Sequence, residues 1–248
     1  MTPVLQSNDI LRKIFQIPES VPREMPAGAA MAKFHEKQYA FYDNRTEGLH
    51  ALRKSVQLKT YFQSWKYFKD VGDELRRHFR FRKELEFRNK IDDFLTTGAS
   101  SVGVDAAKGD VVYVGVHVRH GKSMTLNSDK GYNVAPPGYF AKAMAYFETR
   151  YNNIVFVVVS DDLAWCKDNV QHPRVIYSSF AKDGALDLAL LASCNHTIMS
   201  VGTYSWWGAW LARGDAVYYK DWPLKNTKIF YETNHEDYFL PTWVGISV

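Results

Sequence analysis

Two basic side chains stand at the end of an apolar segment, where they could bind an anion. The segment runs from Val112 to Val118, and valine occupies every second position. Alternate side chains of a strand point to opposite faces, so His117 and Arg119 share the face opposite the valines, at the carboxyl end. An arginine there offers a fixed fork of donors suited to phosphate. The alternative is a charged residue that simply leads from the strand into a loop.

A second candidate for anion binding is the glycine-led segment Gly202–Trp210. A glycine turn that opens a helix leaves unpaired N–H groups at the helix start, and these groups, together with the helix dipole, attract an anion. Thr203 and Ser205 add hydroxyl donors beside those groups. The tryptophans of this helix lie three and four residues apart, which predicts core packing for Trp207 and Trp210.

Carboxylates form a third group of candidates. Asp187 lies in an otherwise apolar helical segment, where a carboxylate is exposed, paired, or turned toward a cleft where it accepts two donors from a guanine edge. Asp161 and Asp162 follow the apolar run Ile154–Val159 and suit the cap of the next helix. The chain contains no Asp-x-Asp pair. A bound nucleotide diphosphate would therefore be neutralised by side chains and backbone groups, with Arg119 among them.

Alternating strand and helix patterns position these residues in the second half of the chain. This alternation predicts an α/β fold of parallel βαβ units, with helices on both faces of the sheet. In such sheets ligands bind at the carboxyl ends of the strands. The predicted strands are 111–118, 153–159, 174–178, 196–200 and 215–219, and the predicted helices lie near 137–151, 161–170, 185–194 and 203–213.

The first part of the chain is charged and mostly helical in pattern. Small and polar residues over Gly98–Gly109 fit a linker, which divides the chain into domains 1–108 and 109–248. Arg76, Arg77, Arg80 and Arg82 form a basic cluster that either meets phosphates or is a solvated face. The predicted elements are a short helix capped by Ser7 or Asn8, a helix through Met31, Phe34, Gln38 and Phe41, a strand at Val56–Phe62, and helices at Lys66–Phe81 and Glu84–Leu95.

Composition limits the class of protein. Of the 248 residues, 46% are hydrophobic and 15% aromatic, which suits a globular protein with a large core. The net charge of +4 is too small to indicate nucleic-acid binding. The central apolar runs are far shorter than the roughly 20 residues of a membrane span, and the first residues lack a secretory layout, so we expect neither an anchor nor an export signal here. Cys166 and Cys194 are expected as buried thiols, or as one bridge in an oxidising compartment.

Four motifs follow one another through the second half of the chain. They are His117-Val118-Arg119, Ser160-Asp161-Asp162-x-x-Trp165-Cys166, the segment Asp187–Met199, and Thr203–Leu211. In this order they resemble the α-1,2-fucosyltransferases, the galactoside 2-α-L-fucosyltransferases of glycosyltransferase family 11. The similarity covers roughly residues 55–248.

The resemblance implies a GT-B-like fold, with a Rossmann-type C-terminal donor domain and a partial, helix-rich N-terminal domain on the acceptor side. It implies inverting transfer of L-fucose from GDP-β-L-fucose to the 2-hydroxyl of a terminal β-galactoside on a glycan, with no metal or other cofactor. It also implies a type II membrane protein of the Golgi lumen, whose anchor is not seen in this chain. By the same resemblance His117 and Arg119 hold the diphosphate, Asp187 reads the guanine, and Thr203, Tyr204 and Ser205 line the β-phosphate site.

The chain departs from the family pattern around Arg119. The family reads His-x-Arg-Arg-Gly-Asp, whereas here His120 replaces the second arginine and Lys122 replaces the carboxylate. His120 is the candidate for the base that removes the acceptor proton, and together with Arg119 it completes the predicted catalytic residues. The family's glycine-rich first turn and Golgi signal-anchor are also missing, which we interpret as a truncated gene model, a fragment or a degenerate relative. The alternative functions are a catalytically silent relative that binds GDP-fucose or glycan, and a protein O-fucosyltransferase-like enzyme.

Overall fold

The computed structural model describes residues 10–20, 31–105, 110–121, 124, 126, 130–180 and 183–248. Ser7 and Asn8, the predicted cap residues, lie outside them. Spatial contacts divide the chain into two compact units. The first unit runs up to Glu84 and includes Tyr231–Pro241, and the second comprises Leu85–Phe230 and Thr242–Val248. The domain boundary predicted between residues 108 and 109 stays a prediction.

Two short parallel strands follow the helix α1, Ile10–Ile14, in the first unit. They are β1, Met31–His35, and β2, Ser55–Lys59. The helix predicted around Phe34 is wrong, because the last four residues of β1 alternate between shielded and exposed and the backbone pairs with β2. Pairing between strands overrides a weak local helical pattern. The strand predicted at Val56–Phe62 is confirmed, with β2 as its extent.

The helix predicted over Lys66–Phe81 is interrupted at Phe68, and only α2, Gly72–His78, is α-helical. The turn before Phe68 is a 3₁₀ helix, and the hydroxyl of its last residue, Tyr67, donates to the buried carboxylate of Glu36 at 3.1 Å. The 3₁₀ helices of this unit are Asn44–Ala51, Trp65–Tyr67 and Lys69–Val71.

Helices and strands alternate along the rest of the chain. In the described part of the second unit, six strands form one parallel sheet. The elements are α3 Glu84–Ser101, β3 Val112–Val118, α4 Pro137–Glu148, β4 Ile154–Ser160, α5 Leu163–Asn169, β5 Val175–Tyr177, α6 Gly184–Ser193, β6 His196–Met199, α7 Thr203–Ala212, β7 Ala216–Tyr219, α8 Lys228–Tyr231, α9 His235–Tyr238 and β8 Val244–Ile246, of which α9 belongs to the first unit. The sheet order is β5-β4-β3-β6-β7-β8, which confirms the α/β, Rossmann-type prediction.

Helix α3 is longer than predicted, because it continues from Leu95 through Gly98 to Ser101. A Cβ atom at Gly98 would lie 2.5 Å from Cδ1 of Ile176 on β5, so this glycine permits a close approach of helix and strand. The linker prediction is therefore wrong for the first residues of Gly98–Gly109. Residues 106–109 of that linker lie outside the described part of the chain.

The sheet is buried on both faces, as the continuous apolar runs predict. Every residue of β4 is buried, and Tyr139, Phe140 and Phe147 of α4 are fully buried. On β3, a Cβ at Gly115 would touch Leu191 of α6, so that face of the strand is turned toward α6. None of the described helices has the length and hydropathy needed to cross a bilayer.

Candidate functional site

A cavity of about 460 Å³ lies at the carboxyl ends of β3 and β4, against the starts of α6 and α7. This is the edge of a parallel sheet where ligands are expected. Five of the predicted site residues line it together, whereas Ser205 and His120 are not among its lining residues. The lining residues are His117, Arg119, Val159, Ser160, Asp161, Gly184, Asp187, Val201, Gly202, Thr203 and Tyr204.

Arg119 is held at the cavity wall by two neighbouring strands. Its backbone N–H donates to the hydroxyl of Ser200, which follows β6, at 2.9 Å. Its guanidinium forms an ion pair with Asp161, which follows β4, at 2.5 Å between Nη1 and Oδ2. Asp161 also accepts from the backbone N–H groups of His120 and Gly121 at 2.9 and 3.1 Å. One carboxylate therefore fixes both the cation and the loop that follows it.

His117 also lines the cavity and is only 4% exposed. Its Nδ1 atom is 2.5 Å from the hydroxyl of Ser205, which in turn donates to the carbonyl of Val201 at 3.2 Å. Burial lowers the pKa of His117 to about 4, with Asp161 opposing this shift. At neutral pH the imidazole is therefore uncharged, and it brings hydrogen bonding but no positive charge to the cavity. Ser205 supports His117 from behind and is itself buried.

The turn into α7 forms the opposite wall. Gly202 has a φ of +88°, a left-handed conformation that favours glycine, and it supplies no side-chain cap to the helix. The first N–H groups of a helix have no partner within the helix. The Tyr204 hydroxyl donates to the carbonyl of Gly184 at 2.7 Å and so ties the start of α7 to the start of α6. The ring of Tyr204 packs beside His117, with 4.9 Å between the ring centroids.

Asp187 supplies a buried carboxylate to the same cavity. It lies in the first turn of α6 and is 6% exposed. The hydroxyl of Ser178 donates to Oδ1 of Asp187 at 2.5 Å. Burial raises the pKa of Asp187, and the Ser178 hydrogen bond works against this rise. Its carboxylate is therefore oriented by one partner and shielded from bulk water.

His120 lies beside the cavity on the loop after Arg119. Its Nδ1 atom is 2.9 Å from Oδ2 of Asp162, and its ring stacks on Trp165 at a centroid distance of 4.1 Å and an interplanar angle of 14°. Asp162 also caps α5, because its Oδ1 atom accepts from the Trp165 N–H at 3.1 Å. The helix-cap prediction is thus confirmed for Asp162. Lys122 lies outside the described residues.

Sequence reasoning missed the partners that orient the site. The sequence predicts only a capping role for Asp161, and it indicates no role in the site for Ser178, Ser200 or Trp165. The position of Asp161 directly after an apolar strand, at the ligand-binding edge, was the available signal for its role.

The tryptophans of α7 pack largely as predicted. Trp210 is buried, with 4% exposure, and stacks with Trp206, which is also buried. Trp207 is only partly buried and meets Trp206 edge-on at 5.1 Å. The prediction of a core role is therefore correct for Trp210 and only partly correct for Trp207.

The basic cluster agrees with the interpretation as a solvated face, and the two cysteines agree with that of buried thiols. Arg76 pairs with Asp73 of its own helix at 3.3 Å, and Arg77 is exposed, which agrees with a solvated face. Cys166 and Cys194 are both buried and unbridged, which confirms the prediction of buried thiols. Within the described ranges, no group of three or more His, Cys, Asp or Glu side chains could hold a metal ion.

Comparison with known proteins places these features in a family context. Residues 6–247 match the sequence model described as Glycosyl transferase family 11. Galactoside alpha-(1,2)-fucosyltransferase 1 of Rattus norvegicus is 35% identical over 191 residues, which cover 74% of this chain and 49% of that protein. Galactoside alpha-(1,2)-fucosyltransferase 2 of Sus scrofa is 35% identical over 197 residues, and that of Rattus norvegicus is 36% identical over 197 residues. Each of these two alignments covers 77% of this chain, and they cover 56% and 53% of the respective relatives. The chain thus spans about half the length of the curated relatives it matches.

Proposed function

Because the chain belongs to glycosyl transferase family 11, we propose that it transfers L-fucose from GDP-β-L-fucose to the 2-hydroxyl of a terminal β-galactoside. Transfer is inverting, so the β-linked donor yields an α-linked product. The relatives carry names that specify galactoside and α-(1,2) linkage, which supports this acceptor over the peptide acceptor of a protein O-fucosyltransferase. From the same family resemblance we propose that the complete protein is a type II membrane protein of the Golgi lumen.

The donor diphosphate lies between Arg119 and the start of α7 in this proposal. The guanidinium supplies positive charge, and the amides that open α7 supply donors aligned with the helix dipole. His117 adds hydrogen bonding without charge, because burial keeps its pKa at about 4. Arg119 therefore bears the electrostatic stabilisation of the leaving GDP, a role for which many sugar transferases use a divalent metal.

Asp187 selects the base of the donor. Guanine presents two neighbouring N–H donors on one edge, whereas adenine presents an acceptor at the matching ring nitrogen. An ionised carboxylate accepts both guanine donors, and it is repelled by the adenine acceptor. Hydrogen bonds to a charged group contribute about 1.5–3 kcal/mol each, so we expect GDP to bind at least roughly tenfold more tightly than ADP.

A single observation carries the proposal: the side chains of Arg119 and Asp187 and the glycine turn into α7 line one cavity of about 460 Å³. Calorimetry with GDP tests it. Arg119→Ala is expected to weaken GDP binding by roughly 100-fold, because a charge-assisted contact to phosphate is lost. Arg76→Ala, which removes an arginine paired within its own helix, is the matched control and is expected to bind GDP as the parent does. Equal affinity in Arg119→Ala and the parent contradicts the phosphate role.

A GDP-release assay with GDP-fucose and a β-galactoside tests the transfer step, and NMR of the product identifies the α-(1,2) bond. Binding of GDP without release or product favours a silent relative that holds GDP-fucose or glycan. The replacement of the family's arginine and carboxylate by His120 and Lys122 is the observation that favours this second candidate. Absence of GDP binding contradicts the transfer reaction and also a silent relative that holds GDP-fucose.

A further inference from the structure

We propose that His120, held by Asp162 and stacked on Trp165, is the general base that deprotonates the acceptor hydroxyl, with Asp162 as its positioning residue. This proposal rests on the proposed function, since it names the group that completes the same reaction. The roles of Asp162 and Trp165 are new, because these two residues fix the orientation of a histidine that lies on a loop.

The contact with Asp162 selects the tautomer that a base needs. A carboxylate only accepts hydrogen bonds, so Nδ1 of His120 carries the proton that points to Oδ2 of Asp162 at 2.9 Å. The lone pair of the neutral ring is then on Nε2. The hydrogen bond with His120 lowers the pKa of Asp162 further below its ordinary acidic value, so this carboxylate acts as an acceptor at neutral pH. Stacking on Trp165 at 4.1 Å fixes the plane of the ring.

The step is balanced as a single displacement. The galactoside 2-oxygen forms a bond to C1 of fucose while its proton passes to Nε2 of His120. The bond between C1 and the β-phosphate oxygen breaks, and GDP leaves with that electron pair. Arg119 faces the negative charge that develops on GDP, and the protonated His120 later releases its proton to solvent. No oxidant, reductant or third reactant is consumed.

The other titratable groups that line the cavity have partners of their own, and among them the Tyr204 hydroxyl donates to the carbonyl of Gly184. Asp161 accepts from the guanidinium of Arg119 and from two backbone N–H groups, so its carboxylate pairs with Arg119 and positions the loop. His117 is buried, with a pKa of about 4 and its Nδ1 on Ser205. Asp187 is buried against Ser178. Asp162 contacts the imidazole of His120, whereas Asp161 contacts the backbone of the same loop.

Two variants separate the base from its support. His120→Gln keeps a polar side chain of similar length but cannot take up a proton. Asp162→Asn retains an oxygen to cap α5, and asparagine is as good a cap as aspartate. Its amide group, however, donates to Nδ1 and moves the ring proton to Nε2. His172→Gln is the matched control, because His172 forms a comparable contact with Glu148, at 2.8 Å, away from the cavity.

The assays are GDP affinity by calorimetry, the pH dependence of kcat/KM for transfer, and ¹⁵N NMR of the histidine nitrogens. We expect unchanged GDP affinity in both variants, a fall in kcat on the order of 100-fold in His120→Gln, and loss of the acidic limb of its pH profile. In Asp162→Asn we expect a fall in kcat of roughly tenfold or more, and NMR is expected to show the proton of residue 120 on Nε2 instead of Nδ1. His172→Gln is expected to match the parent in every assay.

The failure modes are distinct. A parent enzyme that transfers fucose, with His120→Gln losing less than tenfold in kcat or keeping the acidic limb, overturns the base assignment alone. A parent residue 120 with its proton on Nε2 overturns the role of Asp162. A parent that binds GDP and transfers no fucose overturns both the transfer reaction and the base.

Discussion

Burial of His117 makes the stability of the protein depend on pH in a defined window. An unfolded histidine has a pKa of about 6.5, whereas burial lowers the pKa of His117 to about 4. At a pH between these two pKa values, the histidine is protonated in the unfolded chain and neutral in the folded chain. Stability contributed by the neutral, buried ring is therefore fully present above pH 6.5, and it is lost as the pH falls toward 4. Each unit of difference between the two pKa values corresponds to about 1.36 kcal/mol, so the loss in the free energy of unfolding amounts to about 3 kcal/mol.

The perturbation that isolates this effect is His117→Asn. An asparagine amide reaches the place of Nδ1, where it can still meet the hydroxyl of Ser205, and it does not titrate. We expect the variant to lose some stability at every pH, because the larger ring no longer fills its site. Over the window from pH 7.5 to 4, however, the parent is expected to lose about 3 kcal/mol more than the variant.

The measurement is urea-induced unfolding, followed by tryptophan fluorescence at several pH values for both proteins. His50→Asn, which removes an exposed imidazole, is expected to run parallel to the parent across the whole range. Other titrating groups cancel in the difference between parent and His117→Asn, since both chains contain them. Parallel curves for these two proteins would refute the inference that the buried ring is neutral in the folded state.

Two further predictions concern packing and the thiols. Gly214→Ala is expected to destabilise the protein by roughly 2 kcal/mol or more in urea unfolding, because its Cβ would lie 1.6 Å from the carbonyl oxygen of Asn195. Gly48→Ala, which meets nothing within 4 Å, is its control, and equal effects of the two changes would contradict the clash. Burial raises the pKa of the Cys166 thiol to about 11 and that of Cys194 to about 12, so we expect neither to react with a thiol reagent at pH 8 until urea is added. Rapid modification of the folded chain would show that one of them is accessible.

The parallel sheet could be predicted from sequence because its strands are buried on both faces. Apolar runs such as Ile154–Val159 are the expected result of that burial. Each of the five strands predicted in the second half of the chain begins and ends within one residue of its observed bounds. The strand β1 was missed because Phe34 repeats with its neighbours at nearly helical spacing, while pairing with β2 decides its conformation. The three-residue β8 is too short to show a period. Local patterns thus fail where the deciding contact is distant in sequence.

The candidate site likewise contains residues that the sequence predicts and residues that it does not. His117, Arg119 and Asp187 were found because their types and their positions at strand ends or helix starts suggest ligand binding. The groups behind them were not found, because a serine such as Ser178 has no distinctive spacing. Its role depends on which helix packs near the end of its strand, and that packing is set by contacts between residues distant in sequence. The polar groups that orient the site are consequently the part that the sequence alone does not predict.

The contact between Arg119 and Asp161 depends on the register of β3 against β4. Val118 lies opposite Ser160, so the next residue of each strand meets its counterpart at the sheet edge. Strand β4 is a nearly uniform apolar run that is buried throughout, so its own hydrophobic pattern does not select this register. A shift of one residue would bring Arg119 beside Ser160 or Asp162, and the carboxylate that caps α5 would then compete for the guanidinium. The packing that sets the register of the core strands therefore also sets which charge faces the ligand, so a core substitution that moves β4 is expected to weaken GDP binding without touching the cavity.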